Sequence, residues 1–163
     1  MDWSDSVIFQ IIQTVFQIIQ TAALIVAVFV ACTSIKKQRE TTKKDKTISL
    51  LMKDLEGDFL KDGMNVLLKI HNSEDDDVAI YANLKHKSND KAMAIRSLLN
   101  YYENISVGVN ADIYDIEMIK KSQKSMIIAI YEQSKPFIIH LRKQNNNPNL
   151  YIEFEKFTKI LNG

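Results

Sequence analysis

The sequence predicts an all-α protein with one N-terminal transmembrane helix followed by a cytoplasmic bundle of four or five helices. Apolar side chains recur at helical spacing along most of the chain, and no stretch alternates convincingly with period two. Only 4 Gly and 2 Pro occur in 163 residues, which leaves room for few loops. Hydrophobic residues make up 46% and charged residues 25%, so the part outside the membrane can bury a core.

The membrane segment is predicted at residues 7–35, which contain no Asp, Glu, Lys, Arg or His. A basic connector, residues 36–46, follows it, and the positive-inside rule then places residues 1–6 outside the cytoplasm and residues 47–163 within it. Trp3 suits the outer interface as an anchor. At the inner surface, basic side chains are expected to bind anionic lipid head groups: Lys36, Lys37, Arg39, Lys43 and Lys44.

A repeated phrase, FQIIQTV-FQIIQTA, occupies residues 9–22. On a helix it gathers six polar side chains within an arc of roughly 120°, the glutamine stripe: Gln10, Gln13, Thr14, Gln17, Gln20 and Thr21. The uninterrupted apolar run beside it, residues 22–32, is about half of the ~20 residues that a span requires. Part of the stripe must therefore enter the bilayer and meet another stripe or water. The alternative is that residues 9–20 lie flat on the membrane, although such helices usually carry a basic polar face.

The cytoplasmic part, residues 47–163, is predicted as a sensor or interaction domain. Its apolar periodicity indicates helices over these ranges: 47–71, 92–107, 116–144 and 149–161. A short helix that ends at Leu84 is expected to follow the acidic turn at residues 74–77, whose carboxylates lie near its start. Gly57 and Gly63 are expected to bend or divide the first helix, and residues 108–112 to break the third. Pro136 is expected to kink or divide the fourth, whereas Pro148 suits the start of the last.

The residues offer no recognisable catalytic or metal-binding pattern. The histidines lack the paired spacing of a metal site: His71, His86 and His140. The acidic run at residues 74–77 is best interpreted as a solvated turn. The helical spacing of the aromatic residues favours core packing: Tyr101, Tyr102, Tyr131, Phe137, Tyr151, Phe154 and Phe157. A net charge of +1 argues against nucleic-acid binding. We expect no enzyme activity, no cofactor and no metal.

Two blocks carry a family resemblance: IRSLLNYYENISVGVNADIYDIEMI at residues 95–119 and IYEQSKPFIIHLRKQNNNPNLYIEFEKF at residues 130–157. They resemble a bacterial domain-of-unknown-function family of small proteins, often anchored by an N-terminal transmembrane helix. Its landmarks correspond here to Leu99–Gly108, Tyr131–Ile139 and Asn147–Phe154. The resemblance implies a helical fold and no catalytic residues, and it leaves the glutamine stripe outside the shared region. Membrane-anchored members look like components of prophage or phage-defence loci.

The expected function is that of an anti-phage (abortive-infection) effector in the bacterial inner membrane. Its cytoplasmic domain would sense a cytosolic phage protein, with an oligomeric one as a candidate trigger. Several copies would then assemble, and their glutamine stripes would line a membrane-disrupting pore. The alternative is a membrane scaffold or superinfection-exclusion protein that recruits or blocks a partner without forming a pore. Both hypotheses require the lipid bilayer and a protein partner, and neither requires nucleic acid.

Overall fold

The structure is a computed structural model, which describes residues 3–56 and 58–163. Within these ranges it is all-α and has no β-strand, so the predicted fold class is confirmed. The α-helices are α1 (Trp3–Glu56), α2 (Asp58–His71), α3 (Asp90–Asn110), α4 (Ile116–Gln144) and α5 (Ile152–Asn162). Two short 3₁₀ helices, Val78–Ala82 and Leu84–His86, lie between α2 and α3. The chain divides into two compact units at Thr42, and we call Lys43–Gly163 the helical domain.

Helix α1 continues without interruption from the apolar segment through the basic connector and into the helical domain. Neither Gly nor Pro occurs between residues 3 and 56, so nothing in the local backbone chemistry ends the helix earlier. Helix α1 is long and apolar enough to cross a membrane, and its most apolar stretch is not buried against the protein. Gly57, which was expected to bend the chain, and the side chain of Trp3 lie outside the described part of the structure.

The core of the helical domain forms where α2, α3, α4 and α5 pack together. Aromatic rings fill its centre: the Phe154 ring stacks on Tyr102 with centroids 5.3 Å apart and meets Tyr131 edge-on at 5.4 Å. The predicted core role is confirmed for these buried aromatic residues: Tyr102, Tyr131, Phe137, Tyr151, Phe154 and Phe157. Tyr101 is half-buried at the edge of this cluster.

Two glycines, Gly63 and Gly108, lie inside helices at points of close contact. Gly63 is buried in α2, and a Cβ there would lie 2.9 Å from the Leu98 Cβ and 3.0 Å from the Ala94 carbonyl oxygen. Gly108 is buried in α3, and a Cβ there would lie 2.3 Å from the Tyr114 ring. The predicted bend or division at Gly63 was wrong, because α2 runs through this residue. The predicted break at residues 108–112 is confirmed, because α3 ends at Asn110, two residues after Gly108. Both glycines make room for a neighbouring element.

Helix α4 begins and ends at the predicted residues, 116 and 144, but Pro136 does not divide it. Pro136 is exposed, so water can reach the carbonyl group that lacks its usual N–H partner. The short helix that was predicted to follow the acidic turn and end at Leu84 is replaced by the two 3₁₀ helices, Val78–Ala82 and Leu84–His86. Asp77 caps the first of them by accepting a hydrogen bond from the Ala79 N–H at 2.9 Å.

Helix α5 begins three residues later than the predicted range of 149–161, and Pro148 lies in the preceding turn. Tyr151 precedes the helix in the left-handed region, with φ of 58°, and its side chain does not cap the helix. The cap comes from α3 instead, where the Glu103 carboxylate accepts a hydrogen bond from the Phe154 N–H at 2.7 Å. A cap from a distant helix cannot be recognised in the local sequence.

Candidate self-association face

All six side chains of the glutamine stripe are exposed on α1. The Thr14 hydroxyl donates to the Gln10 carbonyl oxygen, and the Thr21 hydroxyl donates to the Gln17 carbonyl oxygen, both at 2.9 Å. The two threonines therefore use their donors within the helix, which leaves their hydroxyl oxygens as acceptors. Each glutamine amide offers both a donor group and an acceptor. The stripe is thus a chemically self-complementary row of hydrogen-bonding groups.

The three-and-four spacing of the glutamines continues beyond the stripe along α1. It next passes through small or uncharged residues: Leu24, Ala27, Ala31, Ser34, Gln38 and Thr41. These residues are also exposed. A seven-residue repeat of this length on one face is typical of helices that associate in a left-handed bundle. The sequence interpretation missed this extension, although its spacing was visible in the sequence.

The basic residues that follow fall into two groups. Lys36, Lys37, Arg39 and Lys44 are exposed, as a lipid-binding role requires. Lys43 is half-buried, and its ammonium group forms an ion pair with the Asp112 carboxylate, within the helical domain. Lys43 therefore contributes to the attachment of the last part of α1, a role that the sequence interpretation did not assign to it.

Thr47 makes the second attachment between α1 and the loop that joins α3 to α4. Its side chain is fully buried, and its hydroxyl donates to the Lys43 carbonyl oxygen at 2.8 Å. The same hydroxyl oxygen accepts a hydrogen bond from the Asp115 N–H, also at 2.8 Å. Asp115 in turn caps α4 through its own carboxylate. The sequence held no signal for this contact, because its two residues are 68 positions apart.

Charged side chains also join α4 to α5 at the opposite end of the domain. The Arg142 guanidinium lies 2.8 Å from the Glu155 carboxylate, and the Lys159 ammonium lies 2.7 Å from it. Lys159 and Arg142 together lower the pKa of Glu155 to about 2. Burial raises the pKa of the neighbouring Tyr131 to about 12. These groups hold fixed charge states near neutral pH, as expected of structural contacts.

Among the described residues, no group of three or more His, Cys, Asp or Glu side chains is arranged to hold a metal ion. A family described as "Domain of unknown function (DUF4760)" matches residues 17–160. The chain belongs to the DUF4760 family. The match is wider than the resemblance predicted, because it begins at Gln17 and so includes the second half of the glutamine stripe. No curated protein and no solved structure matches this DUF4760 protein.

Proposed function

We propose that this DUF4760 protein is a non-enzymatic, single-pass protein of the bacterial inner membrane that assembles through α1. In this proposal its N-terminus faces outward and the helical domain is cytoplasmic. The supporting observation is that the glutamine stripe lies fully exposed on a helix long and apolar enough to span a bilayer. Amides in hydrocarbon need partners, because an unsatisfied polar group there costs several kcal/mol. A second copy carries the same self-complementary row.

We propose that assembly needs a trigger, because the stripe alone contributes little binding energy between helices. A hydrogen bond between membrane helices contributes about 0.6–2 kcal/mol. When the helical domain binds an oligomeric cytosolic protein, several α1 helices become tethered together. Tethering raises their effective concentration to roughly the millimolar range. The gathered stripes then enclose water and open the membrane. A neutral, amide-lined pore should discriminate little between ions.

The biological setting that we propose is abortive infection, in which a phage protein is the trigger. Support for this setting comes from the resemblance of residues 95–157 to membrane-anchored proteins of phage-defence loci. The proposed pore activity does not depend on that setting, because any oligomeric protein that gathers the helical domains would have the same physical effect.

The experiment compares wild-type protein with a triple variant, Gln13→Leu, Gln17→Leu and Gln20→Leu, in dye-filled liposomes. Clustering is imposed with a bivalent antibody against a C-terminal tag. We expect clustering to release dye from wild-type liposomes and the triple variant to lose most of this release. The matched control replaces three residues on the opposite side of α1: Ile12→Leu, Ile18→Leu and Ile19→Leu. Undiminished release from the glutamine variant would exclude the pore.

A scaffold without a pore is the second candidate, and the hydrogen bonds of the stripe give a reason to consider it. Thr14 and Thr21 already donate hydrogen bonds within their own helix, so only the glutamine amides still need partners for their N–H groups. In a dimer or trimer these amides can hydrogen-bond to one another without water. Crosslinking in nanodiscs distinguishes the two functions. Stripe-dependent dimers or trimers that release no dye would support the scaffold, whereas larger stripe-dependent assemblies that release dye would support the pore.

A further inference from the structure

Two cavities lie side by side along α4 in the helical domain. The first, of about 470 Å³, is bounded by the end of α2, the loop after it and the first half of α4. The second, of about 370 Å³, lies between the first 3₁₀ helix and the second half of α4. Glu132 and Pro136 line both cavities, so the two adjoin each other. We call the two adjoining cavities together the α4 groove.

The two ends of the α4 groove carry opposite charge. Two carboxylates, Asp76 and Asp77, line only the first cavity. Glu132 lies where the two cavities meet, with its carboxylate 3.5 Å from the Lys135 ammonium. Basic side chains line the other end: Lys135, His140 and Lys143. Lys91 and Tyr81 donate hydrogen bonds to Asp76 and lower its pKa, so this carboxylate is ionised at neutral pH. The Lys91 ammonium, 3.0 Å from Asp76, offsets this charge, so the excess of negative charge at the acidic end comes from Asp77.

The centre of the α4 groove is apolar. Ala79, Pro136 and Ile139 line it. Ile139 is 42% exposed, and Pro136 is exposed as well. An apolar floor with charged ends is typical of a surface that binds a polypeptide segment.

We propose that the α4 groove binds an amphipathic helix of the cytosolic partner protein, with basic residues at one end, an apolar centre and acidic residues at the other. This inference rests on the proposed function, in which the helical domain binds a protein trigger. The groove follows α4 from Ala129 to Lys143, a length of roughly 21 Å, which matches a helix of about 14 residues. Opposite charge at the two ends fixes the binding direction and excludes segments with one sign throughout.

The test uses the full-length protein in neutral phosphatidylcholine nanodiscs and four fluorescent helical peptides of equal length. All four peptides have a central run of leucines and differ in the charged residues of their first and last helical turns. The first and last turns carry Lys and Glu, Glu and Lys, Lys and Lys, or Glu and Glu, and the peptides are named in that order (Lys–Glu, Glu–Lys, Lys–Lys and Glu–Glu). Fluorescence anisotropy measures the affinity. We expect at least one mixed-charge peptide to bind about tenfold more tightly than either single-sign peptide. Equal affinity for all four peptides, or no binding of any, would overturn the proposal.

A variant with a changed peptide preference separates loss of the binding site from misfolding. Lys135→Glu with Lys143→Glu makes both ends of the groove acidic, so the double variant should prefer the Lys–Lys peptide. An unfolded domain cannot gain a new binding preference. The matched control, Lys121→Glu with Lys124→Glu, changes the net charge of α4 by the same amount outside the groove. It should keep the wild-type preference. If the double variant keeps that preference, or the control also switches, the groove is not the binding site.

The apolar centre is tested separately. Ile139→Glu should weaken the tightest peptide at least about tenfold, whereas Ile160→Glu, at a comparably exposed isoleucine of α5, should leave its affinity unchanged. Efficient disulfide crosslinking of Ile139→Cys between copies without peptide would assign the groove to a second copy and overturn the proposal. Peptide binding and dye release are separate measurements. Loss of the charge preference with intact, clustering-induced dye release would therefore refute the groove and leave the proposed pore standing.

Discussion

Replacing Thr47 by valine tests how the last part of α1 is attached to the rest of the helical domain. Valine has nearly the volume and β-branching of threonine but has no hydroxyl group. In the structure that hydroxyl donates to the Lys43 carbonyl and accepts the Asp115 N–H, both at 2.8 Å, at a fully buried position. Thr47→Val therefore leaves the Asp115 N–H without its acceptor while the packing volume is preserved.

The expected loss follows from the fate of that N–H group. Leaving a buried donor unsatisfied costs about 1–3 kcal/mol in the free energy of unfolding. For a domain of this size, each 1 kcal/mol lowers Tm by roughly 4 °C. Thr41 provides a matched control, because its hydroxyl makes the same local bond, to the Lys37 carbonyl at 3.1 Å, on an exposed part of the same helix. Thr41→Val should change stability by less than about 0.5 kcal/mol.

The assay is thermal unfolding of the full-length protein in detergent, followed by the near-ultraviolet circular dichroism of the buried tyrosines. Hydrogen exchange provides the local readout, since the Asp115 amide should exchange faster in Thr47→Val and not in Thr41→Val. Equal shifts in Tm for the two variants, together with unchanged exchange at Asp115, would refute the role that we assign to Thr47.

Three further predictions concern the packing of the helical domain. Glu103→Ala removes the carboxylate that accepts the Phe154 N–H and should cost about 1–2 kcal/mol, with selective loss of amide protection at the start of α5. Gly63→Ala places a methyl group 2.9 Å from the Leu98 Cβ and should cost about 1–3 kcal/mol in chemical denaturation; an unchanged denaturation midpoint would contradict the close approach of α2 and α3. The pKa of Glu155 falls from 4.5 to about 2 on folding, so its contribution to stability is complete above pH 4.5 and is lost as the pH falls towards 2. Tm of Glu155→Gln should therefore fall less than that of the wild type over this range, and parallel curves would count against the ion pair.

Much of the fold followed from local pattern. The predicted range of α4, 116–144, is correct because its apolar spacing and the capping residue before it are both local features. The burial of Tyr102 and Phe154 followed in the same way from helical spacing. The errors occurred where distant residues act on the chain. The start of α5 depends on Glu103, about 50 residues away, and Gly63 is a point of contact between helices.

The glutamine stripe illustrates what composition and spacing establish alone. The spacing of its amides and the absence of charge around them are properties of one helix, and a helix has the same geometry wherever it forms. The attachment of Thr47 to Asp115 and the opposite charges of the α4 groove required tertiary structure. These features bring together residues far apart in the chain, and no period or local signal in a sequence records which distant side chains meet when it folds.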